Sequence, residues 1–231
     1  MKNLNIANTI FNGFNDKHCL MLCGYEWGFS KASEALGDDG PVKAGVPHVF
    51  SNKALEYGWV AKTWPYDNKI MEWFALWGHP LNQEGSGGNF EKCLVQTNWC
   101  DSQNHHIDGS YDDKLLAPEQ VDNFIAHVQA LQPRIILFFG SRILPLLQHQ
   151  SVLSRFEAVV GPKLGAPTFV SKPFSGRRFK VGFQDFELAR IVCLPHPSGS
   201  HGLSYDYIAL FSDEIGSVIR EYKAFKSINN Q

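Results

Sequence analysis

The sequence has little excess charge of either sign. Its 21 Lys and Arg residues and 23 Asp and Glu residues leave a formal net charge of -2 at pH 7. A nearly neutral protein has no global attraction for polyanions, so a contact with nucleic acid needs a local group of basic side chains. The composition therefore argues against a protein that binds nucleic acid through its overall charge.

Long apolar runs are also absent. No stretch is long enough to cross a bilayer, and residues 1–6 lack the apolar core of a signal peptide. We therefore expect a soluble, cytoplasmic protein with no membrane partner. Because 44% of the 231 residues are hydrophobic and no linker-like stretch divides them, we expect one domain, 1–231. We also expect a monomer.

Cysteine is scarce, and its spacing predicts neither disulfides nor a metal cluster. The five cysteines include no Cys-x-x-Cys pair. An odd number of cysteines on apolar runs indicates reduced thiols in the core. The glycine-rich segment 85–88 lacks the Lys-Ser/Thr pair of a phosphate-binding loop. We therefore expect no metal and no cofactor.

Four short apolar runs predict buried strands, at residues 18–23, 93–96, 134–139 and 191–194. The stretches between them contain apolar residues at helical spacing, as in 118–131, and a last helix is predicted over 207–225. Parallel neighbouring strands need such crossovers. The sequence therefore predicts an α/β protein, a three-layer α/β/α sandwich with a central, mainly four-stranded parallel sheet.

Each predicted strand is followed by small or polar residues. These are 24–28, Thr97-Asn98, Gly140-Ser141 and His196-Pro197-Ser198. In parallel sheets the ligand crevice lies outside the carboxyl ends of the strands, so we expect the four clusters to share one edge. The prolines on either side of His196 cannot donate a ladder hydrogen bond, which places this imidazole just past the end of a strand.

These strand ends resemble those of the uracil-DNA glycosylase superfamily. That family has a Gly-x-Asp/Asn-Pro motif, a downstream aromatic residue, then Asn, Gly-Ser and His-Pro-Ser at successive strand ends. The similar residues here are 24–28, Phe50-Ser51, Thr97-Asn98, Gly140-Ser141 and 196–199. The likeness spans about residues 18–222 through short motifs. The sequence departs from the family at Glu26, where most branches have Asp or Asn, and at Trp27, where they have Pro.

The resemblance implies a DNA glycosylase that hydrolyses the N-glycosidic bond of uracil or a related deaminated base in DNA. Hydrolysis builds positive charge on the sugar and negative charge on the departing base. His196 would donate a hydrogen bond to the base oxygen, and Glu26 would hold the attacking water. The base would be taken flipped out, because it cannot be reached inside a duplex.

The resemblance also implies the residues that bind the base and the DNA. The residues expected at the base are Gly24, Tyr25, Phe50, Asn98 and Ser198, with Phe50 stacking on the ring and Asn98 pairing with its edge. The residues expected at the DNA backbone are Ser141, Gly199, Leu203, Arg177 and Arg178. In this group Leu203 would enter the vacated stack, and the two arginines belong to a predicted basic hairpin over 168–187.

Two other functions remain open. The departures at Glu26 and Trp27, with the neutral overall charge, favour a non-catalytic member of the fold that binds nucleic acid or a protein partner. A metal-dependent hydrolase could use Glu26, His105, His106 and His196, although adjacent histidines without a third regularly spaced ligand are weak evidence. The aromatic-rich segment 57–77 is expected to be core or to line a groove, and its purpose is left open.

Overall fold

The computed structural model describes residues 4–28, 45–82, 87–104 and 111–228. The strands in these ranges are β1 (Leu20–Gly24), β2 (Trp27–Gly28), β3 (Leu94–Asn98), β4 (Gln103–Asn104), β5 (Ile135–Phe139), β6 (Thr168–Val170), β7 (Val181–Asp185) and β8 (Arg190–Leu194). The α-helices are α1 (Ala54–Tyr57), α2 (Pro65–Leu76), α3 (Asn89–Lys92), α4 (Tyr111–Leu116), α5 (Pro118–Leu131), α6 (Ile143–Leu147), α7 (Gln150–Val160), α8 (Tyr205–Ala209) and α9 (Ser212–Phe225).

The protein is a mixed α/β protein built around a six-stranded sheet with the order β3-β1-β5-β8-β7-β6. The four predicted strands are confirmed as β1, β3, β5 and β8, and they pair in parallel. The prediction of a mainly four-stranded sheet is corrected by the hairpin of β6 and β7, which extends the same sheet. Strand β7 pairs antiparallel with β8 over Gly182–Asp185, so its backbone groups pair with the edge of β8 that the parallel strands leave open.

Both faces of the sheet are covered by apolar side chains. On β1, Met21 and Cys23 belong to one cluster, which includes Phe124 of α5. The alternate residues Leu20 and Leu22 belong to a second cluster, with residues of α2 and α9. A strand buried on both faces needs apolar residues at every position, which is why the runs were recognisable in the sequence.

All five cysteines lie in this core. Each is buried and none forms a disulfide, which confirms the predicted reduced thiols. Burial raises the pKa of Cys193 to about 12, so this thiol stays protonated at neutral pH. The cysteines therefore pack as small apolar side chains.

The helices differ from the predicted ones mainly at their ends. The predicted helix over 118–131 is confirmed as α5. The predicted helix over 207–225 is two helices, α8 and α9, and at their junction the Ser212 hydroxyl lies within hydrogen-bond distance of the carbonyl oxygens of Ala209 and Leu76. Among the described helices, none combines the length and the apolar character needed to span a bilayer.

The carboxyl ends of the parallel strands lie at one edge of the sheet, as predicted. Gly24 pairs with Asn98 in register, and Phe139 pairs with Leu194. The backbone N–H of Gly140 also donates to the Leu194 carbonyl at 2.9 Å, which continues the pairing past the end of β5. The four clusters of small and polar residues are therefore brought to the same edge of the fold.

Candidate functional site

The ends of β1 and β3 place Gly24 directly beside the Asn98 side chain. A Cβ atom at Gly24 would overlap Oδ1 of Asn98 and lie 3.0 Å from the Tyr66 hydroxyl. Any larger residue at position 24 would therefore push both polar groups away. Glycine is required here because an amide and a phenol approach the backbone closely.

His196 lies past the end of β8 in a defined tautomer. The backbone N–H of Gly199 donates to Nδ1 at 2.9 Å, so Nδ1 is an acceptor and the neutral ring carries its proton on Nε2. Burial, with a smaller contribution from the positive charge of Lys69, lowers the pKa of His196 to about 4. At neutral pH the imidazole is therefore uncharged, and its Nε2–H is available as a donor.

Two tyrosines stand against the His196 ring. Tyr25 is stacked on it with ring centroids 6.0 Å apart and planes 10° apart, and Tyr66 lies at 5.4 Å on a tilted plane. The Tyr25 hydroxyl accepts a hydrogen bond of 3.1 Å from the backbone N–H of Arg142. A Cβ atom at Gly140 would overlap the Tyr25 ring. The absence of a side chain at Gly140 therefore allows Tyr25 to keep its position beside His196.

Three polar groups at this edge form no hydrogen bond with the described residues. They are the Asn98 side-chain amide, the Tyr66 hydroxyl and Nε2 of His196. Asn98 is only 6% exposed, and burial raises the pKa of Tyr66, so its hydroxyl keeps its proton. Buried polar groups in proteins are almost always paired, so this set, which we name the Asn98–His196 site, is suited to a polar ligand.

The ring of Tyr66 lies between the two ends of the Asn98–His196 site. Its hydroxyl approaches Gly24 and Asn98, while its ring contacts His196 and Phe139. Tyr66 therefore contacts both ends of the site.

Glu26, the predicted water-holding carboxylate, is engaged elsewhere. Its side chain is 5% exposed and forms an ion pair with Lys114 of α4. The Ser102 hydroxyl donates to the same carboxylate oxygen at 2.9 Å. The described contacts therefore hold Glu26 toward α4, although its neighbour Tyr25 faces His196. Its catalytic role stays a prediction.

Replacing Lys114 with methionine should lower the free energy of unfolding by about 1–3 kcal/mol, because Glu26 would lose its ammonium partner in a buried setting. Adding Glu26→Gln should recover most of this loss, since the amide carries no charge. Urea unfolding of the two single variants and the double variant would measure the coupling. Lys180→Met, at an exposed position, is the matched control. A Lys114→Met variant as stable as the original protein would contradict this account.

Phe50, the predicted stacking residue, lies deep in the protein. It is 1% exposed, and the Lys53 ammonium group lies 4.9 Å from its ring centroid. Lys53 is itself buried, pairs with Asp67 at 2.7 Å and donates to Gln96. Burial lowers the pKa of Lys53, with the Asp67 carboxylate opposing that shift. Phe50 thus forms part of the wall behind β3, and its stacking role stays a prediction.

Two basic side chains donate hydrogen bonds to backbone carbonyls of the loop after β8. The Lys69 ammonium group donates to the Pro197 carbonyl at 2.9 Å, and Arg177 donates to the His201 carbonyl at 2.9 Å. The N–H of Gly199 donates to His196, so it orients the imidazole instead of facing a phosphate.

Leu203, predicted to enter the DNA stack, is half-buried against the core. The exposed residues of the predicted set are Ser141, Ser198, Gly199, Arg177 and Arg178.

Sequence reasoning missed Tyr66 and Lys69 as site residues. Both belong to α2, where positions three apart lie on the same face of the helix. The available signal was the unexplained aromatic-rich segment 57–77, which contains them. Its helical spacing indicated a buried face, but nothing in it indicated contact with His196.

The described residues contain no group of three His, Cys, Asp or Glu side chains close enough to bind a metal ion. His105 and His106, considered for a metal-dependent hydrolase, lie outside the described residues. Of the other two residues in that set, Glu26 pairs with Lys114 and His196 accepts from Gly199.

The sequence was compared with models of protein families and with curated proteins. The sequence matches no model of a protein family. No curated protein matches it either. The function of the chain is therefore argued from the geometry of the Asn98–His196 site.

Proposed function

We propose that the protein is a DNA glycosylase that hydrolyses the N-glycosidic bond of uracil or a related deaminated base in DNA. The observation that carries this proposal is the Asn98–His196 site, an unpaired amide beside Gly24 and a neutral imidazole donor beside Tyr66. Helices on both faces of the sheet support the corresponding three-layer α/β/α arrangement of the uracil-DNA glycosylase superfamily.

The leaving base is stabilised by His196 in this proposal. Cleavage of the bond leaves negative charge on the base oxygens, and a preorganised donor at such an oxygen lowers the barrier. A neutral imidazole with its proton on Nε2 supplies that donor without first binding a proton from solvent. Tyr25 and the Gly199 N–H keep the ring oriented, so little reorganisation is needed during the reaction.

The base edge is recognised by Asn98. Its carboxamide offers one acceptor and two donor hydrogens, which match the N3–H and a neighbouring carbonyl oxygen of uracil. The absence of a side chain at Gly24 allows the base to approach the backbone. An extruded base enters by displacing the Tyr66 ring, and it then packs against Tyr25, the other ring that contacts His196.

Glu26 takes part in this proposal under one condition. When substrate binds, the ion pair of its carboxylate with the Lys114 ammonium group must break, and a water molecule must take the place of that group. Freed in this way, it would hold the attacking water and offset the positive charge on the sugar.

The test is an excision assay on single- and double-stranded oligonucleotides that contain one uracil. Alkaline treatment after incubation should cleave the strand at the uracil position, and the matching thymine oligonucleotide should stay intact. Hypoxanthine and xanthine oligonucleotides extend the test to other deaminated bases. No cleavage of any of these substrates would overturn the proposal.

A second function, nucleic-acid binding without catalysis, is favoured by the ion pair of Glu26 with Lys114 and by the position of Tyr66. It predicts that uracil-containing and abasic oligonucleotides bind without turnover. Measuring binding and excision on the same oligonucleotides separates the two functions.

The pH dependence of excision should show no inflection near pH 6.5, the ordinary pKa of histidine. Because the pKa of His196 is lowered to about 4, the ring stays neutral and the rate should hold down to about pH 5 before this group protonates. The profile of kcat/KM against pH measures this. A fall in rate centred near pH 6.5, absent from a His196→Gln variant, would contradict it.

The same lowered pKa affects stability. The unfolded chain binds a proton at His196 near pH 6.5, whereas the folded protein does so near pH 4. Stability therefore falls as the pH drops through that window, by up to about 1.4 kcal/mol per pH unit from this group. Urea unfolding should show a smaller acid-induced loss in the His196→Gln variant, and an equal loss would argue against the assignment.

A further inference from the structure

A pocket of about 270 Å³ lies between α2 and the loop that joins β8 to α8. Its apolar walls are Trp73, Pro197 and Leu203. Its polar residues include Lys69 on one side and Asp206 on the other, and Tyr205 completes the rim. The volume suits one planar heterocycle and little more, since sites for drug-sized ligands begin at about 300 Å³.

This pocket shares a wall with the Asn98–His196 site. Lys69 lines the pocket, donates to the Pro197 carbonyl at 2.9 Å and contributes to the lowered pKa of the neighbouring His196. On α2, Tyr66 precedes Lys69 by one turn and Trp73 follows it by one turn. One helix face therefore lines both sites, with Tyr66 at His196 and Trp73 in the pocket.

The side chains at the rim are available to a ligand. Tyr205 is 46% exposed, an unusual position for a large aromatic side chain. Within the described residues, neither Tyr205 nor Asp206 uses its side chain in a hydrogen bond or an ion pair. An exposed aromatic ring favours stacking with a base, and a carboxylate accepts from an exocyclic amino group.

We propose that this pocket binds the base adjacent to the excised one in the same strand, and that it prefers bases with an exocyclic amino group. The proposal rests on the proposed function, and it adds a sequence preference to that function. Cytosine, adenine and guanine offer an exocyclic amino group to Asp206, whereas the only donor of thymine, its ring N3–H, lies between two carbonyl oxygens that the Asp206 carboxylate repels. The Lys69 ammonium group lies where it can face the phosphate between the two nucleotides.

The first test measures excision from single-stranded oligonucleotides in which each neighbour of the uracil is varied in turn. At one of the two neighbours, thymine should lower kcat/KM about fivefold relative to the amino-bearing bases, the effect of one lost hydrogen bond. Asp206→Ala should remove this preference, because alanine has no acceptor. Asp213→Ala, at an exposed position of α9, is the matched control and should keep it. Neighbour-independent excision, or a preference that survives in Asp206→Ala, overturns the proposal.

The second test does not depend on turnover. Binding of an oligonucleotide with 2-aminopurine beside the uracil should quench its fluorescence, because the base stacks on Tyr205. Tyr205→Ala should abolish the quenching and Tyr205→Phe should keep it. Quenching without excision would overturn the proposed function and leave the pocket as a base-binding site. Excision without quenching would overturn only the role of the pocket.

Discussion

Replacing His196 with alanine should reduce kcat/KM for uracil excision about 100- to 1,000-fold, the usual effect of removing one donor to a developing oxyanion. The substitution removes the Nε2–H that the neutral ring presents. His196→Gln should lose less activity, because its amide can place a donor near the same position. Single-turnover cleavage of a uracil-containing oligonucleotide measures the chemical step in each variant.

The matched control for this prediction is His201→Ala in the same loop. His201 is exposed, and its described role is its backbone carbonyl, which accepts from Arg177. This variant should excise uracil at nearly the original rate. If both alanine variants lost activity equally, the loss would come from a disturbed loop and the role of His196 as the donor would be rejected.

The second large effect is expected at Asn98. Replacing it with alanine should lower kcat/KM about 10- to 100-fold, since the base edge would lose both hydrogen bonds in a buried site. The stability of the protein should be unchanged, because the Asn98 side chain forms no hydrogen bond with the described residues. Excision kinetics and urea unfolding of the same preparation test both statements.

Loss of activity with unchanged stability is the result that distinguishes a ligand-binding residue from a structural one. Asn12→Ala, at an exposed position, is the control for the same chemical change. If Asn98→Ala were strongly destabilised, or excised uracil at the original rate, Asn98 would be a structural residue and the base would have to be recognised by other groups.

The strands of the fold could be predicted because each one is buried on both faces. Such strands read as continuous apolar runs, and β5 with the sequence Ile-Ile-Leu-Phe-Phe is the clearest example. The place of β7 in the sheet could not be predicted in the same way. An alternating pattern indicates a half-buried hairpin, but it does not specify which edge that hairpin extends.

The candidate site could be predicted only at the strand ends. Asn98 and His196 follow buried strands, so the sequence places them at the shared edge. The contact of Tyr66 with His196 depends on how α2 packs across the sheet, which no local pattern encodes. The orientation of Glu26 depends on Lys114, which is 88 residues further along the chain.

The sequence by itself determined the class of fold, the parallel strands and the edge at which polar residues collect, because burial and chain connectivity are local properties of apolar runs and turns. Tertiary structure alone decided what those residues do. It lowered the pKa of His196 through burial and Lys69, set the tautomer of that ring through Gly199, brought Tyr66 into contact with Asn98 and His196, and paired Glu26 with Lys114. These features arise from contacts between distant segments, because the charge state and orientation of a side chain are set by its neighbours in space.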